Sequence, residues 1–210
     1  MTIRGILKTT KYWHNYWATR HIDWNQAYMT PDHPHRNLII NELKRFRFRS
    51  VLEVGCAAGA NLYKIKQVFP HSDIGGIDWN AMAIETAKKY LPKASVLQVG
   101  EATDIYISNK GADILLTDMC YIYLDRKNFK KALKEAKRVA KNGVIFCEFH
   151  HENFLKREGL KILTGYNAYN YKKILEKEGF YDLNFIKIKE QDWPGGEPQK
   201  SFGWVISARI

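Results

Sequence analysis

The chain has 210 residues, of which 45% are hydrophobic and 26% charged. This globular composition excludes a mainly disordered polymer, a collagen-like repeat and a disulfide-knotted peptide, and the length suits one domain with a substantial core. Lys and Arg number 33 against 22 Asp and Glu, a formal charge of +11; the surplus favours an anionic partner and says little about fold.

Residues 1–50 hold nine Lys and Arg, Arg4 among them, against three acids. To about Pro34 this region is aromatic and irregular, crowded with Tyr12, Trp13, Tyr16, Trp17, Trp24 and Tyr28. After the HPH triplet, His33 to His35, residues 36–48 space Leu38, Ile39, Leu43 and Phe46 near a helical period. Strands and helices then alternate. The apolar run at 51–54 reads as a buried strand and 61–69 as a helix stopped at Pro70. A strand follows at 74–78, then a helix capped by Asn80 and running to about Tyr90. Residues 95–100 and 112–118 read as two more strands.

The clearest helix spans 127–141, with Phe129, Ala132, Leu133, Ala136, Val139 and Ala140 on one stripe and lysines elsewhere. That lysine array reads as a solvated outer face. A fifth strand at 143–149, a helix at 170–178 and two strands at 181–189 and 202–210, split by DWPGGEPQ, complete the pattern. Repeated βα units followed by a hairpin imply an α/β fold, with a mostly parallel sheet, helices on both faces and an antiparallel last strand.

Cys56, Cys120 and Cys147 are odd in number and lack metal-ligand spacing, so free thiols in a reducing compartment and no metal are expected. The N-terminus lacks the apolar core of a signal peptide, and no run approaches the roughly 18 apolar residues that span a bilayer. A soluble cytoplasmic protein without membrane partners follows as an expectation.

In open α/β sheets, ligands bind beyond the carboxyl ends of the strands. Those ends carry Glu53, Gly55, Cys56, Ala57 and Gly59 after the first strand and Asp78 after the second. Glu101 and Asp104 follow the third, Asp118 to Tyr121 the fourth, and Glu148, His150 and His151 the fifth. A nicotinamide dinucleotide fingerprint would need glycines where Ala57 and Ala60 stand, and Glu53 would face a pyrophosphate.

VLEVGCAAGANL, then GGIDWN, VGEATDI and ADILLTDMCYIYL, in that order, resemble the class I S-adenosylmethionine-dependent methyltransferases over about residues 51–210. Ala57 departs from the usual glycine. The resemblance implies a Rossmann-like seven-stranded sheet, an enzyme, and S-adenosyl-L-methionine as cofactor with S-adenosyl-L-homocysteine as product. It implies that Gly55 and Gly59, with Glu53 and the intervening Cys56 and Ala57, line the loop under the methionine part. It places Asp78 on the ribose, Trp79 on the adenine, Glu101 at the adenine amino group with Ala102 beside it, and Asp118 near the cofactor's amino group and methyl.

Methyl transfer from a sulfonium is an in-line displacement with a neutral leaving group, so positioning can supply most of the catalysis. A base is needed only where the acceptor must lose a proton. His150 is the first candidate for it, with Tyr121 as a donor orienting the acceptor. Residues 1–35 read as an aromatic and basic lid over a domain at 36–210, with Tyr12, Trp13, Tyr16 and Trp17 as its wall. Trp193 to Gly196 would rim the substrate mouth. A small-molecule acceptor, methylated on oxygen or nitrogen and with an anionic group to account for the basic arm, is the leading expectation. A nucleic-acid (RNA) substrate and a non-catalytic binding subunit are the alternatives; D-M-C-Y lacks both prolines of the exocyclic-amine enzymes' D-P-P-Y.

Overall fold

The computed structural model describes residues 8–210; Arg4 and the remainder of 1–7, which belong to the predicted lid, lie outside the described residues. The chain runs α1 (Thr10–Ala18), α2 (Trp24–Tyr28), α3 (His35–Leu43), β1 (Ser50–Val54), α4 (Ala60–Val68), β2 (Asp73–Asp78), α5 (Ala81–Tyr90), β3 (Val96–Val99) and β4 (Ala112–Asp118). A 3-10 turn (Tyr121–Tyr123) leads to α6 (Arg126–Val139), β5 (Ala140–Phe149), α7 (Phe154–Thr164), α8 (Tyr171–Lys177), β6 (Tyr181–Lys187), α9 (Gln199–Phe202) and β7 (Gly203–Arg209).

The seven strands form one sheet in the order β3-β2-β1-β4-β5-β7-β6. The first five pair in parallel, while β7 lies antiparallel to both β5 and β6. By that arrangement β6 points the same way as β5, and the loop after β6 leaves the sheet at the edge where the parallel strands end. The fold is therefore the expected one, including the antiparallel last strand.

Alternation along the strands feeds two cores. Leu52, Leu115 and Phe146 pack with Phe129 and Leu133 of α6 and Leu175 of α8. Val51, Ile114 and Ile145 pack on the other face with Leu43 of α3, Leu62 of α4 and Ile84 of α5. Strands buried on both faces read as continuous apolar runs, which is why β1, β4 and β5 stand out in the sequence.

The N-terminal region is helical where the sequence suggested irregular chain. Thr9 caps α1 by accepting from Tyr12 N, and Asp23 caps α2 by accepting from Gln26 N. Trp13 and Trp24 are the buried residues of these helices, so each has one anchor rather than a stripe. Trp13 stacks near Tyr166 at 5.3 Å and donates its indole N–H to Gly165 O. Helix α7 was also unanticipated; its cap is Asn153, its end is Gly165 in the left-handed region (φ 82°), and it buries Leu160 alone. Among the described residues, no helix is long and apolar enough to cross a membrane.

Candidate active site

A cavity of about 500 Å³ opens at the carboxyl ends of β1, β2 and β4, where the strand order reverses. Its floor is the loop from β1 to α4. Gly55 has φ 78° and Gly59 φ 84°, conformations that cost a side-chain-bearing residue free energy. A Cβ at Gly55 would sit 2.6 Å from Cys120 Sγ, and one at Gly59 would sit 2.7 Å from Leu91 Cδ1. Gly55 and Cys56 both donate their N–H groups to Ile77 O, binding the loop to β2.

Ala57, the departure from the glycine pattern, adopts φ 47°. Its N–H donates to Asp78 Oδ2 at 2.9 Å, while Asp78 Oδ1 accepts from Asn80 N at 2.9 Å. One carboxylate thus ties the loop to the start of α5. Burial raises its pKa, against the lowering effect of these backbone donors. Met119, at the end of β4, also adopts a positive φ, 50°, so two strained non-glycine residues face the same cavity.

Eight of the ten residues expected at the cofactor line this cavity: Glu53, Gly55, Cys56, Ala57, Asp78, Trp79, Ala102 and Asp118. Gly59 is the N-cap of α4 and is not part of the lining. Glu101 lies just outside, between the lining residues Gly100 and Ala102, with its side chain 54% exposed and 3.6 Å from His14 Nε2.

The two catalytic expectations require correction. The Tyr121 ring turns into the core under α6, fully buried, and its hydroxyl donates to Ala132 O. His150 is 5% exposed, packed between Phe185 and Trp204, and its Nδ1 accepts from Tyr171 N. Neither lines the cavity. The 3-10 turn after β4 redirects Tyr121, and pairing of His150 N with Phe202 O turns His150 toward the β7 side. Burial drops the His150 pKa to about 4. Trp193 does line the cavity, as expected of the loop after β6.

The polar centre of the cavity comes from residues that sequence reasoning passed over. Asp118 Oδ2 accepts from His35 Nε2 at 2.8 Å, Asn61 Nδ2 at 2.9 Å and Arg36 NH1 at 3.1 Å. Burial would raise the Asp118 pKa, but His35, Arg36 and Asn61 outweigh it and hold the carboxyl well below the usual range. Asn61 Nδ2 also donates to Glu53 Oε1 at 2.6 Å. The available signal was the HPHR run at the head of a predicted helix. His35, Asp118 and Cys147 place ligand atoms within 4.8 Å of one another. Here the His35, Arg36 and Asn61 donors occupy Asp118 Oδ2, Asp118 Oδ1 is buried with no hydrogen-bond partner among the described residues, and burial raises the Cys147 thiol pKa, so three donors, the Arg36 cation among them, already stand at the carboxylate.

S-adenosylmethionine presents an ammonium, a sulfonium, a carboxylate and ribose hydroxyls, and the residues present fit it. Glu53 Oε2 is buried with no hydrogen-bond partner among the described residues, an acceptor that an ammonium would satisfy. Asp78 and Trp79 line the same cavity, where they would meet the ribose and the base, and the buried Arg36 guanidinium would meet the carboxylate.

Burial raises the Glu53 pKa to about 8, with the Asn61 hydrogen bond opposing it and Asp118 reinforcing it. The unfolded chain loses this proton near pH 4.3, so the raised carboxyl stabilises the empty fold fully below that value and loses the contribution as pH rises through about 8. A cationic ligand beside it reverses the preference. Binding of S-adenosylhomocysteine at pH 7 is therefore expected to release a proton, and Glu53→Gln to abolish the release. Calorimetry in two buffers of different ionisation enthalpy reads this directly.

The family model of the methyltransferase domain matches residues 51–143. No curated protein matches the chain by sequence. Among solved structures, a Thermotoga maritima S-adenosylmethionine-dependent methyltransferase, described as a possible histamine N-methyltransferase, is 20% identical with a TM-score of 0.63, over 89% of this chain and 94% of that one. A Pyrococcus horikoshii protein is 16% identical with a TM-score of 0.66, over 94% and 97%. The geranyl diphosphate C-methyltransferase of Streptomyces coelicolor, whose structure includes S-adenosyl-L-homocysteine, is 10% identical with a TM-score of 0.63, over 83% and 74%. At these identities the structures speak for the fold. The domain model lies on the strands and loop that build the cavity, so residues 51–143 match a methyltransferase domain, in a fold shared with S-adenosylmethionine-dependent methyltransferases.

Proposed function

We propose that this methyltransferase acts on an oxygen or nitrogen atom of a small molecule bound in the cavity beside the cofactor. The observation that carries the reading is the aromatic lining. Trp17 of α1, Trp24 and Tyr28 of α2, Tyr123, Tyr166 and Trp193 all line the cavity, with the Trp17 ring centroid 6.0 Å from that of Tyr28 and 5.6 Å from that of Tyr123. A volume of about 500 Å³ lies within the range of small-ligand pockets, roughly 300–1,000 Å³. The α1–α2 segment acts as the lid over residues 36–210, and the buried free thiols of Cys56 and Cys147 suit a cytoplasmic setting.

The cofactor supplies an electrophilic methyl on a cationic sulfur. The protein's part is to hold the acceptor in line, exclude water with the aromatic walls, and set the charges around the site. The α6 lysines belong to a helix packed on the sheet face rather than to the cavity, which weighs against a polyanion as substrate. The test is transfer of labelled methyl from S-adenosylmethionine into a size-fractionated cell extract. Label is expected in the low-mass fraction. Label confined to RNA, with binding that weakens steeply as salt rises, would overturn the small-molecule reading.

A further inference from the structure

The HPH triplet does more than start α3. His33 lines the cavity, and its Nδ1 lies 2.5 Å from His35 Nδ1. His35 is 2% exposed, and its Nε2 lies 2.8 Å from Asp118 Oδ2. The three side chains form a single hydrogen-bonded file, and all three line the cavity. Trp193 lies over both imidazoles, with ring centroids 4.8 Å from His33 and 4.3 Å from His35. We infer that His33 is the general base of the methyl transfer, backed by His35 and Asp118, and that its acceptor is a flat aromatic molecule carrying an acidic O–H or ring N–H. The inference deepens the small-molecule reading of this cavity and rests on it.

The proton positions follow from the partners. An ionised carboxylate only accepts, so the His35 nitrogen facing Asp118 carries hydrogen. Arg36 already balances the Asp118 charge, so a second buried cation at His35 would be uncompensated, and a sulfonium in the same cavity would raise that cost. His35 is accordingly neutral, with Nδ1 bare. Two imidazole nitrogens 2.5 Å apart attract only when one of them carries a hydrogen. His33 Nδ1 must therefore donate. This tautomer leaves His33 Nε2 as a bare lone pair, and that atom makes no hydrogen bond among the described residues.

In the transfer, the acceptor's electron pair forms the bond to the methyl carbon while the carbon–sulfur bond breaks and its pair goes to sulfur. The acceptor's proton goes to His33 Nε2. The His33 Nδ1 hydrogen stays in the hydrogen bond to His35 Nδ1, which, with His35 held by Asp118, fixes the ring so that Nε2 faces the acceptor. The charged and titratable groups around His33 are His35 and Arg36 of α3 and Asp118 of β4; burial first, and then the Arg36 charge, lowers its pKa, against Asp118. A base this weak suits an acceptor whose own proton is acidic, as on a phenol or a heteroaromatic ring, rather than an aliphatic alcohol. Besides Trp79, which would meet the adenine, six Trp and Tyr residues line the cavity, Trp17, Trp24, Tyr28, Tyr123, Tyr166 and Trp193, and suit a flat ring.

Nitrogen-15 NMR of histidine-labelled protein, loaded with S-adenosylhomocysteine, tests the hydrogen pattern without turnover. His33 is expected neutral from about pH 5 to 8, with Nδ1–H and a bare Nε2. In His35→Leu, which removes the acceptor, it should revert to the Nε2–H form that free histidine favours. An Nε2–H tautomer in the unsubstituted protein would overturn the inference, as would a pattern unmoved by His35→Leu. Methyl transfer into the low-mass extract fraction then reads the catalytic role. His33→Gln should lower the rate roughly 10²–10⁴-fold with S-adenosylhomocysteine affinity held within a few fold, and the methylated products should be aromatic. Full activity in His33→Gln, or aliphatic alcohols as the products, would refute it. Label found only in RNA would sink the small-molecule reading, while the tautomer measurement would still decide whether the hydrogen-bonded file exists.

Discussion

Replacement of Asp78 by alanine should weaken binding of S-adenosylhomocysteine by about 100-fold or more. The carboxylate holds the Ala57 and Asn80 N–H groups at 2.9 Å each, one on each oxygen, and it lines the cavity. A ribose presents two hydroxyls to such a group. Hydrogen bonds to a charged partner contribute about 1.5–3 kcal/mol each, and two of them correspond to a factor of about 10² or more. The loss has a second origin inside the protein. Ala57 adopts φ 47°, a conformation its own side chain disfavours, and the Asp78 hydrogen bond is what the loop gains by adopting it. Asp78→Asn separates the two contributions, because the amide oxygen can still take one N–H but carries no charge. Its affinity should fall between those of the other two proteins, with a melting temperature close to the unsubstituted one. Calorimetry and thermal melts of the three proteins decide the matter, and unchanged affinity in Asp78→Ala would remove the ribose assignment.

Asp78 was legible in advance because its position is a consequence of parallel topology. A polar residue that ends a buried apolar run must stand at the carboxyl edge of the sheet, and Asp78 and Asp118 satisfy that condition as the last residues of β2 and β4. The same reasoning failed one residue further on. Tyr121 and His150 follow strand ends, but the chain has already turned there, and local hydrogen bonds rather than strand alternation aim the side chains. His33, His35 and Arg36 were visible as a polar cluster before a helix, yet nothing local relates them to Asp118, 82 or more residues away. Only the packing of α3 against the sheet brings them together. Helices α1 and α2 escaped for a related reason. Each buries a single tryptophan, so periodicity, which needs several apolar positions on one face, had nothing to register.

Arg36 should prove the residue on which the architecture of the site most depends. Arg36→Met is expected to destabilise the unliganded protein by about 3–5 kcal/mol, the usual consequence of removing one partner from a buried ion pair. At about 2–4 °C per kcal/mol for a domain of this size, the melting temperature should drop by roughly 6–20 °C. The guanidinium bridges three parts of the fold: it donates to Asp118 at the end of β4, to Asn61 Oδ1 of α4 at 2.6 Å, and to Thr30 O at 2.8 Å in the segment leading to α3. Methionine keeps the apolar stem and loses every one of these bonds. Asp118 would then be a buried charge with His35 and Asn61 as its remaining partners. Its depressed pKa gives stability that is complete above the unfolded value, about 3.9, and lost as pH falls below it, so the gap between Arg36→Met and the unsubstituted protein should narrow under acid. The decisive comparison is with the double variant Arg36→Met/Asp118→Asn. If the cost comes from an uncompensated charge, neutralising Asp118 in the Arg36→Met background should restore part of the stability even though Asp118→Asn alone lowers it. Strict additivity of the two substitutions in denaturant titrations would show that Arg36 acts through Thr30 and Asn61 instead, and that Asp118 draws its low pKa from His35.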